Sequence, residues 1–169
     1  MDEPDFAALY ERHSGDVHRF ALYLSGNEAT AEDLTAETFV RAWIARGRIR
    51  EGSVKAYLLA IARNLYRDNC RRVTETPLPD DPNAALDPPD PGTPPDEAAH
   101  ARRELDVVLR ALRQIPELDR AVLLMATIEG MPHQAIGAAL GLSTAAVKVR
   151  VHRARVTLNA VRGVGGTTP

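Results

Sequence analysis

Cysteine is almost missing from this chain: Cys70 is the only one in 169 residues, so no intrachain disulfide can form and a cytosolic protein is the simple expectation. Long apolar runs are also missing. The stretch from Ala121 to Ile128, broken only by Thr127, falls far short of the roughly 20 residues that a bilayer-spanning helix needs. The N-terminus, Met1-Asp2-Glu3-Pro4-Asp5, is acidic and has none of the basic-then-apolar pattern of a secretory signal, so no membrane association is expected. Catalytic signatures are absent too. There is no glycine-rich phosphate loop, no G-x-S-x-G and no H-E-x-x-H, which argues against an enzyme. The five histidines are scattered, and His13 and His18, five apart, do not share a helix face. With a lone cysteine they make no plausible zinc site, and neither metal nor cofactor is expected. Repeats and credible strands are likewise lacking.

Positive charge is lacking in one place only. The formal net charge is −2, but acids and bases balance at eleven each through Arg72. Between Val73 and Ala99 there are seven acids and no Lys or Arg; from His100 onward ten bases face five acids. Eight of the twelve prolines fall between Val73 and Pro95. Such a segment cannot be a helix or a central strand. It reads as an extended acidic linker whose reach, at about 3.1 Å per residue, is roughly 70 Å.

Helical periodicity fills the rest. Phe6, Leu9, Val17, Phe20, Ala21 and Leu24 predict a first helix from about Asp5 to Ser25, stopped by Gly26-Asn27. Leu34, Phe39, Val40 and Trp43 form the apolar face of a second, ending near Arg46. A loop rich in arginine and glycine, Arg46 to Gly52, precedes Ser53, which can cap a third helix reaching Arg72. There Val54, Tyr57, Leu58, Ile61 and Leu65 make an apolar stripe, while Arg63, Arg67 and Arg71 make a basic one beside Asn64. Beyond the linker, Leu105, Val108, Leu109, Leu112 and Ile115 mark a fourth helix. Leu118, Val122, Leu123, Ala126 and Ile128 mark a fifth, with Pro116 at its start and Gly130 at its end. The expected fold is all-α: two small helical domains, 1–72 and 96–162, joined by a flexible acidic Pro-rich linker over 73–95, with a disordered tail over 163–169.

The stretch from His133 to Arg155 is the most informative. It reads as a short helix holding Ile136 and Leu140, a turn at Gly141-Leu142, an N-cap at Ser143, and a second helix burying Val147 and Val151. That helix displays Lys148, Arg150, Arg153 and Arg155. This is the helix-turn-helix pattern, whose second helix lies in a DNA major groove.

Four stretches then resemble bacterial RNA polymerase sigma factors of the extracytoplasmic-function (ECF) group, in that family's order. Ala31 to Trp43 resembles its polymerase-binding region 2.2, and Ala56 to Asp68 its promoter-melting regions 2.3 and 2.4. Ile115 to Leu124, followed by Glu129-Gly130, resembles the lead-in to region 4.2, and Val147 to Arg155 the −35 recognition helix. The resemblance implies that Ser143, Thr144, Lys148, Val149, Arg150 and Arg153 read −35 duplex. It assigns Arg48, Arg50, Arg63, Asn64, Arg67 and Arg71 to the melted −10 strand, and Asp33, Glu37, Arg41 and Trp43 to the polymerase. It further implies core RNA polymerase (clamp and flap) and promoter DNA as partners, with an anti-sigma protein as a common regulator of the group. Three positions depart from the family pattern: Tyr57 stands where many relatives have tryptophan, Met131-Pro132-His133 replaces a serine-aromatic entry, and Val149 replaces a small polar residue.

Duller readings exist for each feature. The arginine stripe alone is an ordinary solvated face, Trp43 is part core, and the linker is a solvated tether. Ser143 is first a cap, His152 a surface or partly packed residue, and Cys70 an unremarkable thiol. A stand-alone helix-turn-helix regulator would need a dimer seam, of which there is no heptad sign, and would leave the first domain unexplained. A protein-binding helical adaptor would leave the basic recognition helix unexplained.

Overall fold

The computed structural model describes residues 3–49, 54–75 and 95–165, and its regular structure is entirely helical. Helix α1 spans Glu3–Ser25, α2 Glu28–Ile44 and α3 Val54–Glu75, with a 3-10 turn over Arg46–Arg48. Helices α4 (Pro95–Arg113), α5 (Glu117–Thr127), α6 (His133–Leu140) and α7 (Thr144–Gly165) follow.

Local chemistry sets the boundaries. Gly26 adopts φ +72° and lets α1 end, and Asn27 then caps α2 by accepting a 2.9 Å bond from the Thr30 N–H. Two threonines lie buried in α2, each satisfied by donating to a carbonyl one turn back, Thr35 to Ala31 and Thr38 to Leu34. After α5, Gly130 at φ +62° allows the chain to turn back, so that the Met131 N–H reaches the Met125 carbonyl at 3.0 Å.

Helices α1, α2 and α3 pack on one another around Val17, Phe20, Leu24, Leu34, Leu58 and Leu65. Helices α5, α6 and α7 pack around Val122, Leu124, Met125, Ile136, Val147 and Val151, with Leu109 and Leu112 of α4 and Ile115 of the α4–α5 connection closing them off. The two groups are docked. α1 meets α5, α3 meets α6, and one continuous buried cluster runs from Phe20 and Leu59 to Met131 and Ile136.

Several expectations are corrected. Val73–Glu75 continue α3 and Pro95 opens α4, because proline fits a first helical turn where no N–H donor is needed. Gly163–Gly165 belong to α7 rather than to a disordered tail. Val40 is 53% exposed and Val108 44%, so neither belongs to the core stripe of its helix. Ser53, Arg50, most of the linker and residues 166–169 lie outside the described residues.

Candidate nucleic-acid interface

The helix-turn-helix is built around one close approach. Gly141 takes φ +71° at the end of α6, and the Leu142 N–H returns to the Gly137 carbonyl at 2.9 Å. The Leu142 carbonyl then lies directly over Gly137, where any Cβ would collide with it. Ser143 caps α7 as expected, accepting a 3.1 Å bond from the Ala146 N–H. Val147, Val151 and Ala154 are buried, which turns Thr144, Lys148, Val149, His152 and Arg155 outward. Lys148, His152 and Arg155 recur at four- and three-residue spacing and so share one face. His152 was read from sequence as a bland surface residue; its place in this row makes it a reader candidate, and the i, i+4 spacing from Lys148 was the available signal.

Arg150 and Arg153 are placed differently. Both reach back to Asp119 in the first turn of α5, whose side chain is only 6% exposed. The Arg150 Nη1 donates at 2.8 Å and the Arg153 Nη2 at 3.2 Å to the same Oδ1. Two of the expected −35 readers are thus engaged by a carboxylate of their own unit.

The basic stripe of α3 is also split. Arg67 and Arg71 are exposed, as is Asn64. Arg63 is buried, and its guanidinium meets Glu117 of α5 in a two-pronged pair, Nε to Oε1 at 2.8 Å and Nη2 to Oε2 at 3.0 Å. One turn further along α3, Tyr66 accepts from Arg120 Nη2 at 3.3 Å. Burial is the main cause that raises the Tyr66 pKa, followed by a hydrogen bond with Cys70; the Arg120 charge opposes both. Arg48 is exposed on the 3-10 turn, away from the α3 row in sequence.

A second ionic cluster holds α1 and α3 to the end of α5. The Glu129 side chain is fully buried, and Arg19 grips it through Nε and Nη2, both at 3.1 Å. Lys55 adds a 2.9 Å contact to the same carboxylate and a 3.1 Å bond to the Glu129 carbonyl. The hydrogen bond to Glu129 is the leading cause that raises the Arg19 pKa. Glu129 was read only as part of a family motif; nothing in its local sequence signals that it anchors the other unit.

The expected polymerase-binding residues lie on α2. Asp33, Glu37 and Arg41 are exposed, with Arg41 donating to Glu37 at 3.3 Å. A polar hollow of about 310 Å³ separates them from Asp68, Asn69 and Arg72 of α3. Trp43 is half-buried, edge-on to Phe6 at 5.0 Å, with the Arg46 guanidinium 3.9 Å above its ring. Val40 and Ile44, 53% and 75% exposed, extend the Glu37–Arg41 surface with apolar area. Sequence periodicity assigned Val40 to the core; exposed aliphatics at i, i+4 beside charged residues mark a contact surface. Among the described residues no cluster of His, Cys, Asp and Glu could hold a metal ion, and no helix is long and apolar enough to cross a membrane.

Among the described residues, seven α-helices in two docked groups, the second carrying a helix-turn-helix, define an all-helical protein of the helix-turn-helix class. Comparison with known proteins narrows this. Residues 9–76 match Sigma-70 region 2, and residues 105–158 match Sigma-70 region 4. The chain is 34% identical over 158 residues to the ECF RNA polymerase sigma factor SigE of Mycolicibacterium smegmatis, covering 92% of this chain and 60% of that protein. It is 33% identical over 153 residues to the ECF sigma factor SigL of Mycobacterium tuberculosis, covering 87% and 82%. The sigma factor RpoE of Bartonella quintana, crystallised with the anti-sigma factor NepR, superposes with a TM-score of 0.73 over 95% of this chain and 98% of that one, at 25% identity. The chain belongs to the ECF family of RNA polymerase sigma factors.

Proposed function

We propose that this chain binds core RNA polymerase in the cytoplasm and directs promoter-specific initiation, with the polymerase supplying all of the chemistry. The α1–α3 unit carries polymerase binding and −10 melting, and the α4–α7 unit carries −35 recognition. The observation that carries this reading is the Ser143-capped helix α7, which turns Lys148 outward beside Thr144 and Val149 on a helix-turn-helix frame. Lys148 and the N–H groups of the capped turn hold phosphates, and Arg153 takes a phosphate or a guanine edge once released from Asp119. On α3, Arg67, Arg71 and Asn64 offer charge and hydrogen bonds to a separated strand, joined by Arg63 when Glu117 lets go, and Arg48 adds an exposed charge on the 3-10 turn. Asp33, Glu37, Arg41 and the edge of Trp43, enlarged by Val40 and Ile44, meet the polymerase. The same α2 surface suits an anti-sigma partner, since covering it would block recruitment.

The test is run-off transcription with purified core polymerase and promoter fragments. Initiation that depends on this chain, is impaired by Lys148→Ala with core binding intact, and loses core binding when Asp33 and Glu37 are charge-reversed, is the expected result. Initiation indifferent to the chain would sink the reading. Loss of core binding on Lys148→Ala would mean that the units' roles are exchanged.

A further inference from the structure

The first turn of α5 touches both candidate DNA-reading helices at once. Within four residues, Glu117 holds Arg63 of α3, Asp119 holds Arg150 and Arg153 of α7, and Arg120 lies against Tyr66 of α3. The carboxylates are not ordinary surface acids. The Asp119 side chain is 6% exposed and lies between two arginines, and Glu117's is 26% exposed and holds one, each in the place a phosphate would take. Arg63 forms both prongs of a fork-to-fork pair, the geometry that an arginine otherwise offers to a phosphodiester.

We infer that Glu117 and Asp119 are specificity-determining residues that act as built-in competitors for DNA phosphates. Three of the arginines that the two helices could turn towards DNA are held by internal carboxylates until a better-placed nucleic acid displaces them. The two restraints differ in what releases them. Glu117 and Arg63 lie on separate units, so parting the units frees Arg63 for single-stranded DNA. Asp119 travels with α7, so only DNA itself can draw Arg150 and Arg153 away. Such competition suppresses binding to arbitrary sequence more than binding to a cognate site. Non-specific affinity is nearly all phosphate charge, whereas cognate binding adds base contacts, those from Thr144, Lys148 and Val149 among them, that the carboxylates do not oppose. Lys148, His152 and Arg155 then form the unrestrained face that makes first contact. This proposal rests on the sigma-factor reading for its biological sense, but its test needs no polymerase.

The experiment is fluorescence-anisotropy binding of the full chain to a mixed-sequence duplex and to a mixed-sequence single strand across a salt series. Asp119→Asn is expected to steepen the log–log salt slope for duplex by about 1 to 2, since each added phosphate contact contributes about 0.9. The single-strand slope should hardly change. Glu117→Gln should do the reverse, steepening the single-strand slope by about 0.7. Unchanged slopes with unchanged melting, or weaker binding from either variant, would overturn the proposal and leave both acids as structural props. Should a variant fail to fold, arginine side-chain NMR on the unaltered chain decides instead. Duplex should shift the Arg150 and Arg153 guanidinium signals and single strand that of Arg63; signals indifferent to both would overturn it. A failed run-off assay with the expected slopes would leave the restraint standing and the sigma role refuted.

Discussion

Helices α3 and α7 are each 22 residues long, each amphipathic, and each lined with arginine, yet their cations are restrained at different levels of the structure. On α3 the restraint crosses between units: Arg63 pairs with Glu117, while Lys55 at the same helix's start joins Arg19 on Glu129. On α7 the restraint is internal, because Asp119 packs against the helix whose arginines it holds. Net charge near zero says nothing about this. A basic stripe is a supply of possible contacts, and the tertiary partner of each arginine decides which are available. A buried ion pair adds little net stability. The worth of these pairs lies in what they withhold.

Breaking α7 alone should have the largest effect. Gly137→Ala drives a methyl into the Leu142 carbonyl and must shift the turn that sets the recognition helix. A loss of about 1–3 kcal/mol is expected, read as a lower urea midpoint, together with lost duplex binding. A midpoint equal to the parent's would show that the turn yields freely. Breaking the docking of α3 comes next. Glu129→Gln leaves Arg19 and Lys55 sharing a neutral amide; as both cations are partly exposed, about 1–2 kcal/mol is expected rather than the full cost of a stranded buried charge. Small-angle scattering should then show an expanded chain, with α7 binding duplex as before. An unexpanded chain would mean that the apolar contacts alone hold the units together.

How much of this was legible beforehand follows from where the information sits. Helix positions, the Gly141 turn and the Ser143 cap are written in local spacing, and the structure agrees with them. The break in the arginine stripe was not legible, because Arg63 is distinguished from Arg67 only by a glutamate 54 residues away on another unit. Gly137 gave no turn signal, since its role is to admit a carbonyl from the next turn. Val40 satisfies helical periodicity and still points outward, because the stripe on α2 is wider than the surface that α1 and α3 cover. Asp119 carries no local signal beyond that of an acid in a first helical turn. The two-unit docking was hidden for the same reason: its anchors, Glu129 with Arg19 and Lys55, pair residues 110 and 74 positions apart.

Two smaller effects sharpen the contrast further. Val40→Asp with Ile44→Asp should leave melting within about 0.5 kcal/mol of the parent, as expected for exposed positions, while weakening core-polymerase capture. Intact capture would remove the apolar patch from that surface. The smallest effect concerns pH on the α1 side. His13 has a buried Nδ1 without a hydrogen-bond partner among the described residues. Burial lowers its pKa below 6.5, aided by Arg12 and Lys55 and opposed by Asp16. The unfolded chain therefore takes up a proton first as pH falls. Stability should decline below about pH 6.5, and His13→Gln should flatten that part of the pH profile; an unflattened profile would place the titration elsewhere.

Because Glu117 of one unit holds Arg63 of the other, the docked arrangement must open before both helices can read a promoter with all their arginines. The direct measurement is single-molecule energy transfer between dyes on Ala8→Cys and Arg162→Cys, in a Cys70→Ser background. High transfer is expected in the free chain, falling to a distinctly lower value with core polymerase and promoter DNA. Transfer that stays high while the same complexes produce run-off transcript would contradict the claim.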